Sequence, residues 1–143
     1  MFTELPAPLR RPGVSSYWAE KNRHGQAVDS FLEGPSFDRA GNLYFVDIPF
    51  GRVFRSTPAG DVSQVAEYDG QPNGLKIHRD GRIFLTTWAA ESQLQSDYDV
   101  HTVVSTDATG RQWEAPLATG IPGQTSCSVH LGDGQVLIVY SHR

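Results

Sequence analysis

The chain carries almost no sulfur: one cysteine, Cys127, and one methionine among 143 residues. A lone thiol closes no disulfide within the chain, which suits a reducing compartment. No cysteine-protease signature surrounds it, so Cys127 reads as a small buried residue rather than a nucleophile. Long apolar runs are missing too. Nothing approaches the roughly 18 residues of a membrane-spanning helix, and residues 1–12 lack the continuous apolar segment of a signal peptide. A cytoplasmic location without membrane contact is the expectation. Basic runs are also absent. The 12 Lys and Arg stand against 16 Asp and Glu, a formal charge of −4, which argues against nucleic acid as a partner. There is no Gly-x-Ser-x-Gly elbow and no phosphate-cradling loop, which argues against serine-hydrolase and nucleotide-binding chemistry. The histidines, His24, His78, His101, His130 and His142, include no pair at helical zinc spacing, and each reads as a solvated or packed side chain.

What the chain does have is turn punctuation and a repeat. Its 14 Gly and 9 Pro are spread along its length, and no convincing amphipathic helix appears. Three segments align: Pro35 to Asp47, Gly74 to Thr86 and Ser128 to Tyr140. Each reads as strand, polar turn with glycine, apolar strand. Gly41 to Gly81 spans 40 residues and Gly81 to Gly134 spans 53. The first spacing is that of a four-stranded propeller blade. Asp80-Gly81 and Asp133-Gly134 are tight-turn signals. The runs that follow the turns, such as Leu43 to Val46 and Val136 to Tyr140, suit strands buried on both faces. Outer strands are expected to alternate, as Arg52 to Ser56 and Val62 to Ala66 approximately do.

These features predict an all-β fold of β-propeller blades in a single domain over residues 1–143. One blade runs from about Phe31 to Tyr68. A second runs from about Pro72 to Leu117, with a longer loop near Ala89 to Asp99. A third starts near Ser126 and ends after two strands. Val14 to Val28 is predicted to add one or two strands with no blade of their own. The total is about three blades, fewer than the four to eight that usually close a propeller. A homodimer is therefore expected, in which the N-terminal strands of one copy complete the open blade of the other and bury exposed edges.

Glu33-Gly34-Pro35, the strand Asn42 to Pro49, Gly51 to Arg55, and Pro72-Asn73-Gly74-Leu75 with His78 to Gly81 resemble the senescence-marker-protein, gluconolactonase and luciferin-regenerating-enzyme family. The resemblance covers about residues 13–87. It implies a six-bladed propeller that holds a divalent metal, often calcium, at its central channel and hydrolyses small lactones or related esters. Residues 88–143 look different. Ser105, Asp107, Gly110 and Trp113 resemble an Asp-box, the structural turn motif of sialidase-type propellers. The two resemblances together imply a chain joined from two propeller lineages, by natural fusion or by construction.

By resemblance, Glu33 is a metal ligand at the channel end of an inner strand. A carboxylate at a strand start also suits a hard cation, although spacing alone favours an exposed strand-end Glu, and it is the motif that points to the ligand role. Asn73 opens the next inner strand in the same register. It is either a metal or hydroxyl ligand, as the family implies from a later blade, or an Asn in the turn before Gly74. Thr125, Ser126 and Ser128 occupy the comparable place in the third blade and are poor primary ligands. Asp47 reads as structural, bonding local backbone at a strand end. Arg52, Arg55 and Arg82 read as outer-face charges, so no arginine cluster for a sialic carboxylate is identified. In a lactonase of this kind the metal polarises the ring carbonyl, and a separate Asp handles protons. The family takes its remaining ligands from blades not present here, so one copy carries an incomplete site. The expected ligand is a small lactone or sugar acid. The alternatives are a non-catalytic binding or structural half-propeller and, third, a sialidase-like glycan binder.

Overall fold

The computed structural model describes residues 4–88, 99–122, 124–132 and 135–141. The predicted loop near Ala89 to Asp99 falls largely outside these residues, as does the Asp133-Gly134 turn. The first sheet contains β1 (Leu32–Phe37), β2 (Leu43–Asp47), β3 (Arg52–Ser56) and β4 (Val62–Glu67) in that order, all antiparallel. The second contains β5 (Gln71–Ile77), β6 (Ile83–Trp88), β7 (Asp99–Val104) and β8 (Leu117–Pro122), again as a four-stranded meander. The third holds β9 (Gln124–Gly132) and β10 (Gln135–Ser141) alone. The first strands of successive sheets neighbour one another, β1 against β5 and β5 against β9. The protein is thus all-β with little helix. A meander whose first strand meets the next sheet's first strand is the layout of a propeller blade.

The first two sheets pack face to face. Tyr44, Val46 and Val53 from one and Leu75, Ile83, Leu85 and Val103 from the other form a single buried cluster. Each such aliphatic side chain stabilises the fold by roughly 1.5–3 kcal/mol when fully buried. The alternation of β2 explains why the cluster forms. Tyr44 and Val46 point to the second sheet, while Leu43, Phe45 and Asp47 point away from it.

That far side is not bare. Phe45 and Phe54, with ring centroids 5.5 Å apart, are covered by Leu5 and Leu9 of the N-terminal segment. Beside them lies a buried ion pair. Arg52 is 2% exposed and Asp47 fully buried. The Arg52 Nε donates to Asp47 Oδ2 at 2.9 Å, its Nη2 donates to the same oxygen, and its Nη1 donates to the Leu9 carbonyl at 2.6 Å. Its guanidinium also stacks over Phe50 and Phe54, 5.2 and 4.9 Å from the ring centroids. Asp47 Oδ1 accepts from the Phe31 amide at 2.7 Å. Burial pushes the Asp47 carboxyl above its ordinary range, opposed by the Phe31 amide and Arg52.

Three expectations are corrected here. Arg52 is not an outer-face charge. It lies on the sheet face that the N-terminal segment covers, and its charge is met by Asp47. The strand Arg52–Ser56 is correspondingly buried along most of its length rather than alternating. Val14 to Val28 contains no strand. Instead Tyr17–Arg23 forms helix α1, with Ser16 as its cap: the Ser16 hydroxyl accepts from the Ala19 amide at 3.2 Å. His24 ends the helix in the left-handed conformation. The segment is anchored to its own chain by Arg10–Asp29 and Arg11–Glu67 ion pairs.

Asp47→Asn leaves the buried Arg52 without its counter-charge. The expected loss is about 3–5 kcal/mol in a denaturant titration, whereas Arg11→Gln, which removes an exposed pair, costs about 1 kcal/mol or less.

Candidate functional site

Glu33 stands one residue into β1 and is exposed; Asn73 stands two residues into β5 and is half-buried. The structure brings their strands together at this end. Gly34 has φ +61°, and a Cβ added there would lie 2.5 Å from the Asn73 carbonyl oxygen and 3.0 Å from the Leu75 amide nitrogen. Only glycine combines this backbone conformation with so close an approach. The residue after Glu33 is therefore seated on the main chain of Asn73.

The three inner strands share one irregularity. The β1–β2 register slips between Glu33 and Ser36, so that Gly34 and Pro35 together oppose Phe45. In β5 the slip lies between Pro72 and Gly74, leaving Asn73 as the extra residue. In β9 the register passes from Gln124 opposite Ser141 to Cys127 opposite Val139, so Thr125 and Ser126 span the slip. Each bulge lies within the first few residues of its strand. Bulges re-aim side chains and are frequent beside active sites. The Gly74 amide, freed from the ladder, donates to the Thr86 hydroxyl at 3.1 Å.

A groove of about 220 Å³ opens at the same end, between the start of α1 and the turn that follows β4. Ser16, Tyr17, Phe50, Asp69 and Gln71 line it. The Gln71 amide oxygen is buried and has no hydrogen-bond partner, an unusual state for a buried polar atom. Tyr17, Asp69 and Gln71 were not anticipated from the sequence. They belong to no motif, and their proximity depends on the N-terminal segment folding back over the first sheet. Among the described residues, no three His, Cys, Asp or Glu side chains gather into a metal-binding group. Glu33 and Asn73 offer oxygen donors, the right chemistry for a hard cation, but fewer than the six to eight such an ion takes.

At the opposite end, aspartates organise the hairpin tips. Asp38 Oδ1 accepts from the Ala40 and Asn42 amides at 2.9 and 2.8 Å. Asp80 accepts from the Arg82 amide at 3.0 Å and from His78 Nδ1 at 2.8 Å, and these bonds hold its carboxyl well below the usual range. Arg82 is exposed and bound to Asp80 at 2.9 Å. In the turn between β7 and β8, Asp107 Oδ1 accepts from the Gly110 amide at 2.9 Å, and the Thr109 hydroxyl leads the bonds that lower the Asp107 carboxyl. Buried Ser105 accepts from the Ile83 amide at 2.7 Å and donates to the Asp107 carbonyl at 2.7 Å. Trp113 Nε1 donates to the Gly110 carbonyl at 2.8 Å, and its ring packs on the inter-sheet core. Ser105, Asp107, Gly110 and Trp113 thus form one bonded turn, far from Glu33. His101 and His130 stand on β7 and β9, and Cys127 stands on β9.

No family model matches the chain. Part of it is nevertheless homologous to lactonases, and the lactonase-family resemblance is borne out to that extent. Lactonase drp35 from Staphylococcus aureus (strain bovine RF122 / ET3-1) is 34% identical over 70 residues, covering 48% of this chain and 20% of that protein. The protein of the same name from S. aureus (strain MRSA252) is 32% identical over 72 residues, with the same coverage of 48% and 20%. That from Staphylococcus epidermidis (strain ATCC 35984 / DSM 28319 / BCRC 17069 / CCUG 31568 / BM 3577 / RP62A) is 34% identical over 56 residues, 38% of this chain and 17% of that protein. The chain spans about a fifth of the length of these relatives. Among solved structures, the PQQ-bound aldose sugar dehydrogenase of Streptomyces coelicolor is similar at a TM-score of 0.47 and 17% identity, over 68% of this chain and 32% of that one. No helix among the described residues is long and apolar enough to cross a membrane.

Gly34→Ala forces a side chain against the Asn73 carbonyl in a backbone conformation that L-residues avoid. A loss of about 2 kcal/mol or more is expected in thermal or denaturant unfolding. Gly60→Ala, also at positive φ but in open space, should cost about 1 kcal/mol.

Proposed function

We propose that this chain carries part of the site of a β-propeller hydrolase acting on small lactones or sugar-acid esters. The observation that carries this reading is the meeting of Glu33-Gly34 with Asn73 at paired bulges, in a chain that is partly homologous to lactonase Drp35. Glu33 and Asn73 would hold a divalent cation, calcium being the natural candidate for an all-oxygen set. When bound, such an ion polarises a lactone carbonyl and acidifies a coordinated water. Asn73 would also accept or donate to a ring hydroxyl. The neighbouring groove would receive the sugar-acid body, with Tyr17 and Phe50 against its apolar face.

The short donor set favours a second reading, a binding or structural module without catalysis. Metal-dependent hydrolysis of a γ- or δ-lactone separates the two. Under the first reading, wild type shows chelator-sensitive turnover and Glu33→Ala loses at least about tenfold in kcat/KM. Equal rates for both proteins would reject the lactonase assignment. A sialidase-like reading has less support, since Arg52 and Arg82 are both held by aspartates within the fold.

The partner proposed for the open third sheet is a second copy of this chain. Leu131, Leu137 and Val139 are 61, 47 and 57% exposed. By strand alternation and register they share one face. The outer edge of β10, an uncharged seven-residue strand, is unpaired within the described sheet. Such an edge readily adds another strand. Antiparallel pairing of β10 with its symmetry mate would build a four-stranded sheet like the other two. The N-terminal segment is committed to its own first sheet, so the third sheet is the proposed joint. Light scattering should give a dimer mass for wild type and a folded monomer for Val139→Lys. A concentration-independent wild-type monomer would overturn this assembly.

A further inference from the structure

A second groove, of about 540 Å³, lies at the other end of the strands, between the tip of the β1–β2 hairpin and that of the β5–β6 hairpin. Its volume is that of a small-molecule pocket. The walls are apolar at Phe37, Tyr44, Ile77 and Ala108, and Arg39 and Arg79 flank them from the two tips. These arginines sit in corresponding turns, Asp38-Arg39-Ala40-Gly41 and His78-Arg79-Asp80-Gly81. Both are exposed, and among the described residues neither guanidinium makes a hydrogen bond or ion pair.

The carboxylates of the groove differ in this respect. Asp38 is spent on the Ala40 and Asn42 amides and on the Asn42 side chain, the last at 2.7 Å. Asp80 is spent on Arg82 and His78. Of the acidic and arginine side chains lining the groove, the two carboxylates are therefore engaged and the two guanidiniums are open. Guanidinium forks match carboxylate geometry, and the apolar wall between them gives an organic body something to bury against. We propose that this groove binds a small organic carboxylate with an apolar body, at a site separate from Glu33 and Asn73. The Asx bonds of Asp38 and Asp80 do the positioning. They fix the two tips, so the arginines that follow or precede them project over the same apolar wall.

Titration calorimetry on the full chain tests this, with 2-naphthoate as the probe and 2-naphthamide as its neutral counterpart. Saturable one-to-one binding of the naphthoate is expected, with the amide at least about tenfold weaker. Arg39→Gln and Arg79→Gln should each weaken the naphthoate by roughly tenfold, the size of one lost charge-assisted bond. The double variant should retain the wild-type unfolding temperature, because both side chains are exposed and unpaired. Glu33→Ala should bind the naphthoate as wild type does, whatever becomes of lactone hydrolysis. Absence of saturable binding, equal affinity for the amide, or unchanged affinity in the double variant would each overturn the proposal.

Discussion

The fold around the candidate site depends on the buried Asp47–Arg52 pair. One carboxylate oxygen holds the amide of Phe31, immediately before β1, and the other holds the guanidinium from β3. The same guanidinium reaches the carbonyl of Leu9 and lies over the rings of Phe50 and Phe54. Four chain segments thus meet at one charge pair. Two buried charges tolerate each other only while every donor and lone pair is used, so the geometry admits little slack. Glu33 lies two residues beyond Phe31. Its place at the head of β1 is set by a pair that never touches it.

From that anchor the site follows by packing. The inter-sheet core presses the second sheet against the first, and glycine at position 34 lets the β1 main chain rest on Asn73. The bulges in β1 and β5 then leave residues at the heads of these strands free of the regular alternation that would bury them in a sheet face. The hairpin tips at the far end are governed by a different device, aspartates bonding the amides two to four residues on. The molecule therefore has two chemically distinct ends. One has a carboxylate and amides with unused oxygens; the other has its carboxylates consumed and the guanidiniums of Arg39 and Arg79 open.

Most of the β architecture was legible because its signals are local. Asp-Gly turns, apolar runs after each turn and the 40-residue spacing from Gly41 to Gly81 mark the hairpins and the blade period. The positions of Glu33 and Asn73 near the starts of β1 and β5 were legible through motif and register. The misread parts all involve contacts between distant segments. Arg52 looks like a surface cation in sequence, because nothing in its neighbourhood announces that Leu9, 43 residues away, will cover it. Tyr17–Arg23 gave no periodic signal, since a seven-residue helix is too short to show one, and it depends on the Ser16 cap and on packing against the turn at Ile48–Phe50. Gln71 looks like an ordinary polar strand residue, and only the fold buries its amide oxygen.

The sequence by itself determined the strands, the turns, the all-β class and the candidates at the heads of the inner strands, because those properties follow from backbone preference and alternation within a few residues. Tertiary structure decided what the two ends of the chain do. It spent the N-terminal segment on covering the first sheet, through Leu5, Leu9 and the carbonyl that Arg52 requires. It left Leu131, Leu137 and Val139 of the third sheet exposed. The physical reason is burial: which apolar surface and which charge lose contact with water is settled by segments remote in sequence, and no local pattern encodes it.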